Sequence, residues 1–257
     1  MATAEGPTPQ PESGDGGTSQ QELLVLICTY NERANLPPLF EQIHAVVPAA
    51  NILVVDDASP DGTGEWVRER SQADPRVHWI ARSGKLGLGT AIREGMQYAI
   101  RHEYAWLINL DGDLSHDPTA MLQMLSLRDA WDLAIGSRYV EGGGLEGCSW
   151  RRIVVSRCAN WLARVLVGWS IRDCSSAYRM YRVASLKGIA LGDIHATGYG
   201  FLEEVLAMLI RSGARVIETP ITYTERQQGQ SKISLREAWS TLRALLHIAR
   251  THRRTLK

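Results

Sequence analysis

Asp111 and Asp113 lie one residue apart in Asp111-Gly112-Asp113, directly after the apolar run Ala105-Trp106-Leu107-Ile108-Asn109-Leu110. Side-chain direction alternates along an extended chain, so both carboxylates project to the same side. Two anions that close repel unless a cation lies between them. Hard oxygen ligands of this kind suit Mg2+ or Mn2+, with phosphate oxygens completing the shell. Taken alone, an Asp-x-Asp is more often a solvated turn, and the metal reading needs support from the rest of the chain.

Four other segments carry polar chemistry. Asp56-Asp57 ends an apolar run and is followed by Ala58-Ser59-Pro60-Asp61-Gly62. Ser-Pro-Asp-Gly is a turn sequence that needs no ligand, yet a carboxylate beside it can accept hydrogen bonds from a base or a ribose. Ser83-Gly84-Lys85-Leu86-Gly87-Leu88-Gly89 frees backbone N–H groups before a helix start, which favours an anion. Arg138, Arg151, Arg152 and Ser156 form a group able to grip phosphate, with Gly142-Gly143-Gly144 beside them read as a mobile loop. Arg226-Gln227-Gln228-Gly229-Gln230-Ser231-Lys232 places two cations around a glycine, either to close over a diphosphate or as ordinary surface.

The elements that must position these residues alternate. Leu23–Cys28, Ile52–Val55, Val77–Ala81, Ala105–Leu110 and Leu133–Gly136 read as strands buried on both faces. Between them Pro37–Val47, Gly64–Ala73, Leu88–His102 and Pro118–Leu127 read as helices, the last started by Asp117-Pro118. Farther on, helices are expected over Arg151–Gly168 and Gly200–Ser212 and a strand over Val216–Thr224, with Ile171–Tyr181 mixed. Alternation of this kind implies an α/β fold: a mostly parallel, Rossmann-like sheet flanked by helices, with ligands bound beyond the carboxyl ends of the strands. The polar segments above follow those ends.

Composition narrows the class. Lys+Arg and Asp+Glu both number 28, so no basic field argues for nucleic acid. The cysteines Cys28, Cys148, Cys158 and Cys174 have no paired spacing and read as reduced thiols of a cytoplasmic protein. Residues 1–21 are rich in Pro, Gly, Ser and Thr and carry no Lys or Arg; they read as a disordered tail and not a signal peptide. No apolar segment reaches the ~18 residues of a membrane span. Residues 233–257 read as a C-terminal amphipathic helix; from Ser234 onward five Arg and one Lys stand against one Glu, a net charge of +5. Such a helix either packs on the domain or lies on an anionic membrane surface.

Cys28-Thr29-Tyr30-Asn31-Glu32, Asp56-Asp57-x-Ser59-x-Asp61-Gly62, Leu86-Gly87-Leu88-Gly89 and Asp111-x-Asp113 occur in this order. Together the set resembles the inverting glycosyltransferases of family 2, which have the GT-A fold. Asp111 to Pro118, Gly136-Ser137-Arg138-Tyr139 and Arg226-x-x-Gly229-x-Ser231-Lys232 are similar to the dolichyl-phosphate mannose synthases within it. The resemblance implies a GT-A domain over 22–232 that transfers mannose from GDP-mannose to a polyprenyl (dolichyl) monophosphate, with Mg2+ or Mn2+ as cofactor. It implies that Cys28, Tyr30, Glu32, Val55 and Asp57 line the nucleotide pocket, joined by the backbone at Gly112. Asp111 and Asp113, with Ser115, would hold the metal; Arg138, Arg152 and Ser156 would receive the acceptor phosphate; Arg226 and Lys232 would close over the donor. Cys28 stands where the family usually has Pro, Gly112 where it usually has Ala, and Ser115 where some relatives have Gln.

The implied place of work is a membrane surface, reached peripherally through the 233–257 helix or a small membrane-anchoring subunit. A sugar-hydroxyl acceptor would instead need a carboxylate base, and Glu203-Glu204 is the candidate pair. His116 and His195 take no role on this reading. The alternatives are a family-2 transferase using UDP-glucose or another donor, and a sugar-nucleotide-binding module without catalysis.

Overall fold

The computed structural model describes residues 22–225 except His195, Thr197 and Tyr199, together with Leu245. The expected tail at 1–21, the Arg226–Lys232 loop, His195 and the 233–257 helix, Leu245 excepted, lie outside the described residues.

Order along the chain is β1 (Leu23–Thr29), α1 (Leu36–Val46), β2 (Asn51–Asp56), α2 (Thr63–Ala73), β3 (Val77–Ala81), α3 (Leu88–Arg101) and β4 (Trp106–Asp111). There follow α4 (Ala120–Ser126), β5 (Leu133–Ser137), β6 (Gly144–Glu146), α5 (Trp150–Val167), β7 (Arg179–Arg182), α6 (Val183–Lys187), α7 (Gly200–Arg211), β8 (Val216–Pro220) and β9 (Thr222–Thr224). One sheet runs β3-β2-β1-β4-β7-β5-β8, and β6 pairs with β9 apart from it. Each pairing in the large sheet is parallel except those of β7, which lies antiparallel to both β4 and β5. The mostly parallel, helix-flanked architecture is the one expected, with this single reversal.

Burial follows the pleat. Leu24 and Leu26 of β1 face one cluster, with Ile92 and Met96 of α3 and Phe201 and Leu202 of α7. Val25 and Ile27 face the other, with Leu39 and Phe40 of α1 and Met121 and Met124 of α4. Covering both faces leaves no room for polar alternation in the central strands, hence their continuous apolar runs. Leu245 is buried in the first cluster. Among the described residues no helix is long and apolar enough to cross a membrane.

Four expectations need correction. β7 lies inside the segment read as mixed, because the fully buried Arg179 interrupts its apolar signal. Its guanidinium is satisfied by the carbonyls of Ser176 and Leu202 at 2.7 Å each, and by that of Cys174. The strand expected over Val216–Thr224 is broken into β8 and β9, since Pro220 has no N–H to continue a ladder. Helix α4 starts at Ala120, later than the Asp117-Pro118 signal, because the first turn is closed by i→i+3 bonds to the carbonyls of Asp117, Pro118 and Thr119. The Gly142–Gly144 loop is pinned: Gly144 begins β6, and a Cβ on Gly143 would lie 2.5 Å from the Ser137 carbonyl oxygen.

Candidate functional site

The carboxyl ends of β1, β2 and β4 form one edge. Cys28 stands in register with Val55 on one side and with Asp111 on the other, so these three residues make a row across the sheet. Behind each strand end one non-glycine residue takes a left-handed backbone: Asn31 (φ 65), Ala58 (φ 55) and Leu114 (φ 62). Such conformations persist only where neighbours over-determine them. Here the loops tie each other. Asn31 N donates to Ser59 Oγ (2.9 Å), Glu32 N to Thr63 Oγ1 (3.1 Å) and Arg33 N to Asp61 Oδ2 (3.1 Å). Burial notwithstanding, the hydrogen bonds from Thr63 and from the backbone of Arg33 hold Asp61 below the usual carboxylate range.

The two acids of Asp56-Asp57 divide their work. Asp56 accepts from Thr29 Oγ1 (2.8 Å) and from Ser59 N (3.0 Å) and Oγ (2.5 Å), closing the turn. Asp57 is buried, ion-paired to Arg82, and accepts from Gly87 N at 3.0 Å. Arg82 also reaches Thr90 Oγ1 (2.6 Å) and Glu94 (3.2 Å), so it is a hub that fixes Asp57. In the sequence Arg82 opens the polar end Arg82-Ser83-Gly84-Lys85 of a strand and takes no individual role. Asp57 keeps lone pairs for a ligand beyond these contacts, because a carboxylate offers about four. Tyr30 is exposed at the rim with Lys85 Nζ 3.9 Å above its ring, which brings the glycine-rich loop to the same edge. Glu32 accepts from Asn35 Nδ2 at 2.7 Å, and its Cγ would lie 3.6 Å from a Cβ on Gly112. Burial, then the carboxylates of Asp111 and Asp57, push the Cys28 thiol up; it stays a neutral thiol and not a nucleophile.

Asp111 closes β4 and Asp113 follows in the turn, buried. Ser115 donates to Asp113 Oδ1 twice, from N at 3.1 Å and from Oγ at 2.5 Å. Ser115, expected as a metal ligand, thus uses its hydroxyl proton to set the Asp113 carboxylate. Burial lowers the pKa of His116, against the pull of Asp111 and Asp113, so the imidazole is neutral. Its Nδ1 accepts from Asp111 N at 3.3 Å, and its ring lies 5.0 Å from Tyr178 and 5.7 Å from Tyr223. His116 is the prop of the acidic turn, a part that a lone histidine in sequence does not reveal. Among the described residues no three His, Cys, Asp or Glu side chains form a metal cage. Two carboxylates on one turn nevertheless fit Mg2+ or Mn2+, which are commonly held by one or two carboxylates plus substrate phosphates and water.

Beyond β5 lies the basic half. Arg138 donates from N (3.0 Å), Nε (2.7 Å) and Nη2 (2.7 Å) to Asp173, which is fully buried, and from Nη2 to Ser175 Oγ (2.9 Å). The fork expected to be open for phosphate is therefore largely occupied. Arg152 donates to Glu225 Oε1 (2.8 Å) and to the Tyr223 hydroxyl (3.0 Å). Ser156 Oγ accepts from the Tyr139 hydroxyl at 2.6 Å, and the Tyr139 ring lies 5.3 Å from the Arg138 guanidinium. Arg151 turns instead to Trp150, 5.6 Å from its ring. Arg138, Arg152 and Ser156 thus meet through Tyr139, quoted in the sequence motif without a role, and Tyr223, which the sequence reading passed over.

Tyr223 joins the halves. It makes an isolated bridge with His116, and its ring carries Arg138 at 5.8 Å and Arg152 at 5.5 Å. Next to it Thr224 N donates to Ser115 O at 3.1 Å, immediately before the stretch that contains Arg226 and Lys232. Glu203 is buried, and burial, opposed by Arg179, pushes its carboxyl up to about 8. It is a protonated core acid at neutral pH, which argues against it as a general base.

The model of the family described as "Glycosyl transferase family 2" matches residues 24–190. The chain is 45% identical over 223 residues to polyprenol monophosphomannose synthase of Mycolicibacterium smegmatis, covering 85% of this chain and 84% of that protein. It is 39% identical over 212 residues to undecaprenyl-phosphate mannosyltransferase of Micrococcus luteus, covering 82% and 87%. Among solved structures, glucosyl-3-phosphoglycerate synthase from Mycobacterium tuberculosis with Mn2+, UDP-glucose and phosphoglyceric acid superposes with a TM-score of 0.66 at 16% identity, over 89% of this chain and 80% of that one. The same enzyme with Mg2+ and UDP gives a TM-score of 0.63 at 16% identity, over 89% and 79%. At that identity the likeness concerns the fold.

Proposed function

This chain belongs to glycosyltransferase family 2, and on that premise we propose that it transfers mannose from GDP-mannose to a polyprenyl monophosphate, with inversion at the anomeric carbon. The observation that carries the reading is Tyr223, which ties the acidic turn through His116 to the arginine pair through Arg152. A carboxylate pair suited to a metal diphosphate and cations suited to a second phosphate thus share one wall. The relatives' names, both mannosyl transfer to polyprenyl phosphates, support the same acceptor.

In this scheme Asp111 and Asp113 hold Mg2+ or Mn2+, which when bound would offset charge on the leaving diphosphate. Tyr30, Glu32, Val55 and Asp57 form the nucleotide wall, with Asp57 kept in place by Arg82. Arg152 and Ser156 orient the acceptor phosphate, and Arg138 shapes their platform from its anchor on Asp173. Arg226 and Lys232, outside the described residues, would add positive charge at the donor diphosphate. A phosphate oxygen forms the new bond to the anomeric carbon as the bond to the diphosphate breaks, and the electron pair leaves with GDP. The phosphate oxygen is already anionic near pH 7, so no side chain has to remove a proton; positioning carries the rate. A neutral His116 and a protonated Glu203 are compatible with that requirement.

Incubation with radiolabelled GDP-mannose or UDP-glucose, Mg2+ or Mn2+, and dolichyl or undecaprenyl phosphate tests the reading. Label entering the organic phase from GDP-mannose is expected. Transfer from UDP-glucose alone would replace the donor, and no transfer to any lipid phosphate would overturn the reading in favour of a sugar-hydroxyl acceptor or a binding module.

A further inference from the structure

A second basic site adjoins the cluster just described, sharing Tyr139 with it. Tyr139, Arg157, Asn160, Trp161, Arg164 and Arg172 line a cavity of about 290 Å3 with no carboxylate among them. Arg164 Nε is buried without a hydrogen-bond partner among the described residues. Asn160 is saturated by Ser156 O, Ser175 Oγ and Ser175 N together with the Cys174 thiol, so it walls the cavity and does not neutralise the arginines. Three arginines line the cavity with no acid among the lining residues; Glu218 is taken by the backbone N–H groups of Arg172 and Asp173. Such a lining suits an anion, and the guanidinium fork suits phosphate.

The surface beside the cavity names the source of that phosphate. Helix α5 carries four arginines and no acid. Trp150, Val154, Trp161 and Val165 fall within one helical stripe. Their exposures are 70%, 50%, 62% and 57%, so the stripe is apolar and bare. Arg157 and Arg164 border it on one side. Tryptophan with flanking arginine on an apolar helix face fits the headgroup region of a bilayer, where the ring sits at the interface and the cations meet lipid phosphate.

We propose that the outer face of α5 lies on an anionic bilayer and that the Arg157–Arg164–Arg172 cavity takes the phosphate of an anionic phospholipid in it. The site adjoins the acceptor cluster at Tyr139, which lines the cavity and donates to Ser156, but its three arginines are not those of that cluster: Arg152 turns to Tyr223 and Glu225. The inference deepens the proposed function, because a helix held at the headgroups brings those residues to a lipid-borne phosphate. It adds α5 to the C-terminal helix as a membrane contact.

Sedimentation of the full chain with vesicles tests it. Phosphatidylcholine mixed with phosphatidylglycerol should bind the protein well and phosphatidylcholine alone weakly. Arg164→Gln with Arg172→Gln should weaken binding to the mixed vesicles about 30-fold, from about one kcal/mol per surface arginine, and erase the preference for them. Trp161→Ser with Val165→Ser should lower binding to both compositions. Both variants should keep the parent's thermal unfolding and its rate with a water-soluble short-chain prenyl phosphate, a separate readout of the proposed transfer. Equal binding of the two compositions by the parent, or parent-like sedimentation of both variants, overturns the inference. So does a vesicle-free dimer that Trp161→Ser with Val165→Ser dissociates, which would give the face to a second copy of the chain.

Discussion

Arg138 holds Asp173 in a two-pronged ion pair, Nε and Nη2 each 2.7 Å from a separate carboxylate oxygen, with the carboxylate fully buried. An arginine of the expected phosphate cluster is therefore also the counter-ion of a core acid. Its two roles separate it from Arg152, whose partner Glu225 is about a third exposed.

Removing Arg138 should damage the fold as well as the site. Arg138→Ala leaves Asp173 buried without its cation and is expected to cost ~3–5 kcal/mol in urea unfolding. Arg152→Ala breaks a pair about a third exposed and is expected to cost under ~1 kcal/mol while raising KM for the lipid acceptor. Similar stability losses in the two variants would contradict the assignment of Arg138 as a core counter-ion.

The acidic turn can be probed in two grades. Asp113→Asn is expected to lower turnover at least ~100-fold, as loss of a group that stabilises developing charge does. Ser115→Ala removes only the hydroxyl that sets Asp113, and a ~10–100-fold weaker Mn2+ affinity is expected. The radiolabel transfer assay reads the first, and titration of Mn2+ into either variant with GDP, followed by electron paramagnetic resonance, reads metal affinity. Unchanged Mn2+ binding in Asp113→Asn would exclude that carboxylate as a ligand.

Glu203 makes stability depend on pH. Its folded pKa of about 8 stands above the ordinary 4.5, so between those values the folded state keeps a proton the unfolded state has released. The contribution is full below about 4.5 and declines as pH rises. Above about 8 it is gone, with at most ~5 kcal/mol across the span. Glu203→Gln keeps the shape without the titration. Thermal unfolding across the range should show a flatter profile for the variant and a higher Tm than the parent above about pH 8; parallel profiles would refute the buried acid.

Two glycines should differ in their tolerance of alanine. A Cβ on Gly143 meets the Ser137 carbonyl oxygen at 2.5 Å and Arg138 backbone at 3.0 Å, so Gly143→Ala must shift the backbone that carries Arg138. A loss of ~1–3 kcal/mol is expected, the cost of overpacking. At Gly112 the nearest atom is Ile27 Cγ2 at 3.1 Å, the tip of a side chain, and Gly112→Ala is expected to stay within ~1 kcal/mol. Denaturant midpoints of the two variants decide the point.

Sequence alone determined what periodicity and local chemistry carry. Apolar runs buried on both faces marked β1, β2, β4 and β5, and alternation with helices implied the parallel sheet whose carboxyl edge gathers Asp57, Asp111 and Asp113. Motif order placed Arg138, Arg152 and Ser156 together without showing what joins them. β7 stayed hidden because a buried Arg179 looks like a surface residue until the carbonyls that satisfy it are assembled from Cys174, Ser176 and Leu202. Arg82, His116 and Tyr223 stayed hidden for a related reason. Each acts on a partner 25 or more residues away, or through both a near and a distant one: Arg82 on Asp57, Tyr223 on Arg152, and His116 on Asp111 and Tyr223.

Only the tertiary structure decided which charges are spent and which are available. Asp56, Asp61 and Asp173 are consumed by turns and a core pair, whereas Arg157, Arg164 and Arg172 surround a cavity with no acid. A charge's role depends on what neutralises or desolvates it, and that is set by neighbours in space. The sequence names the charges, and folding selects their partners.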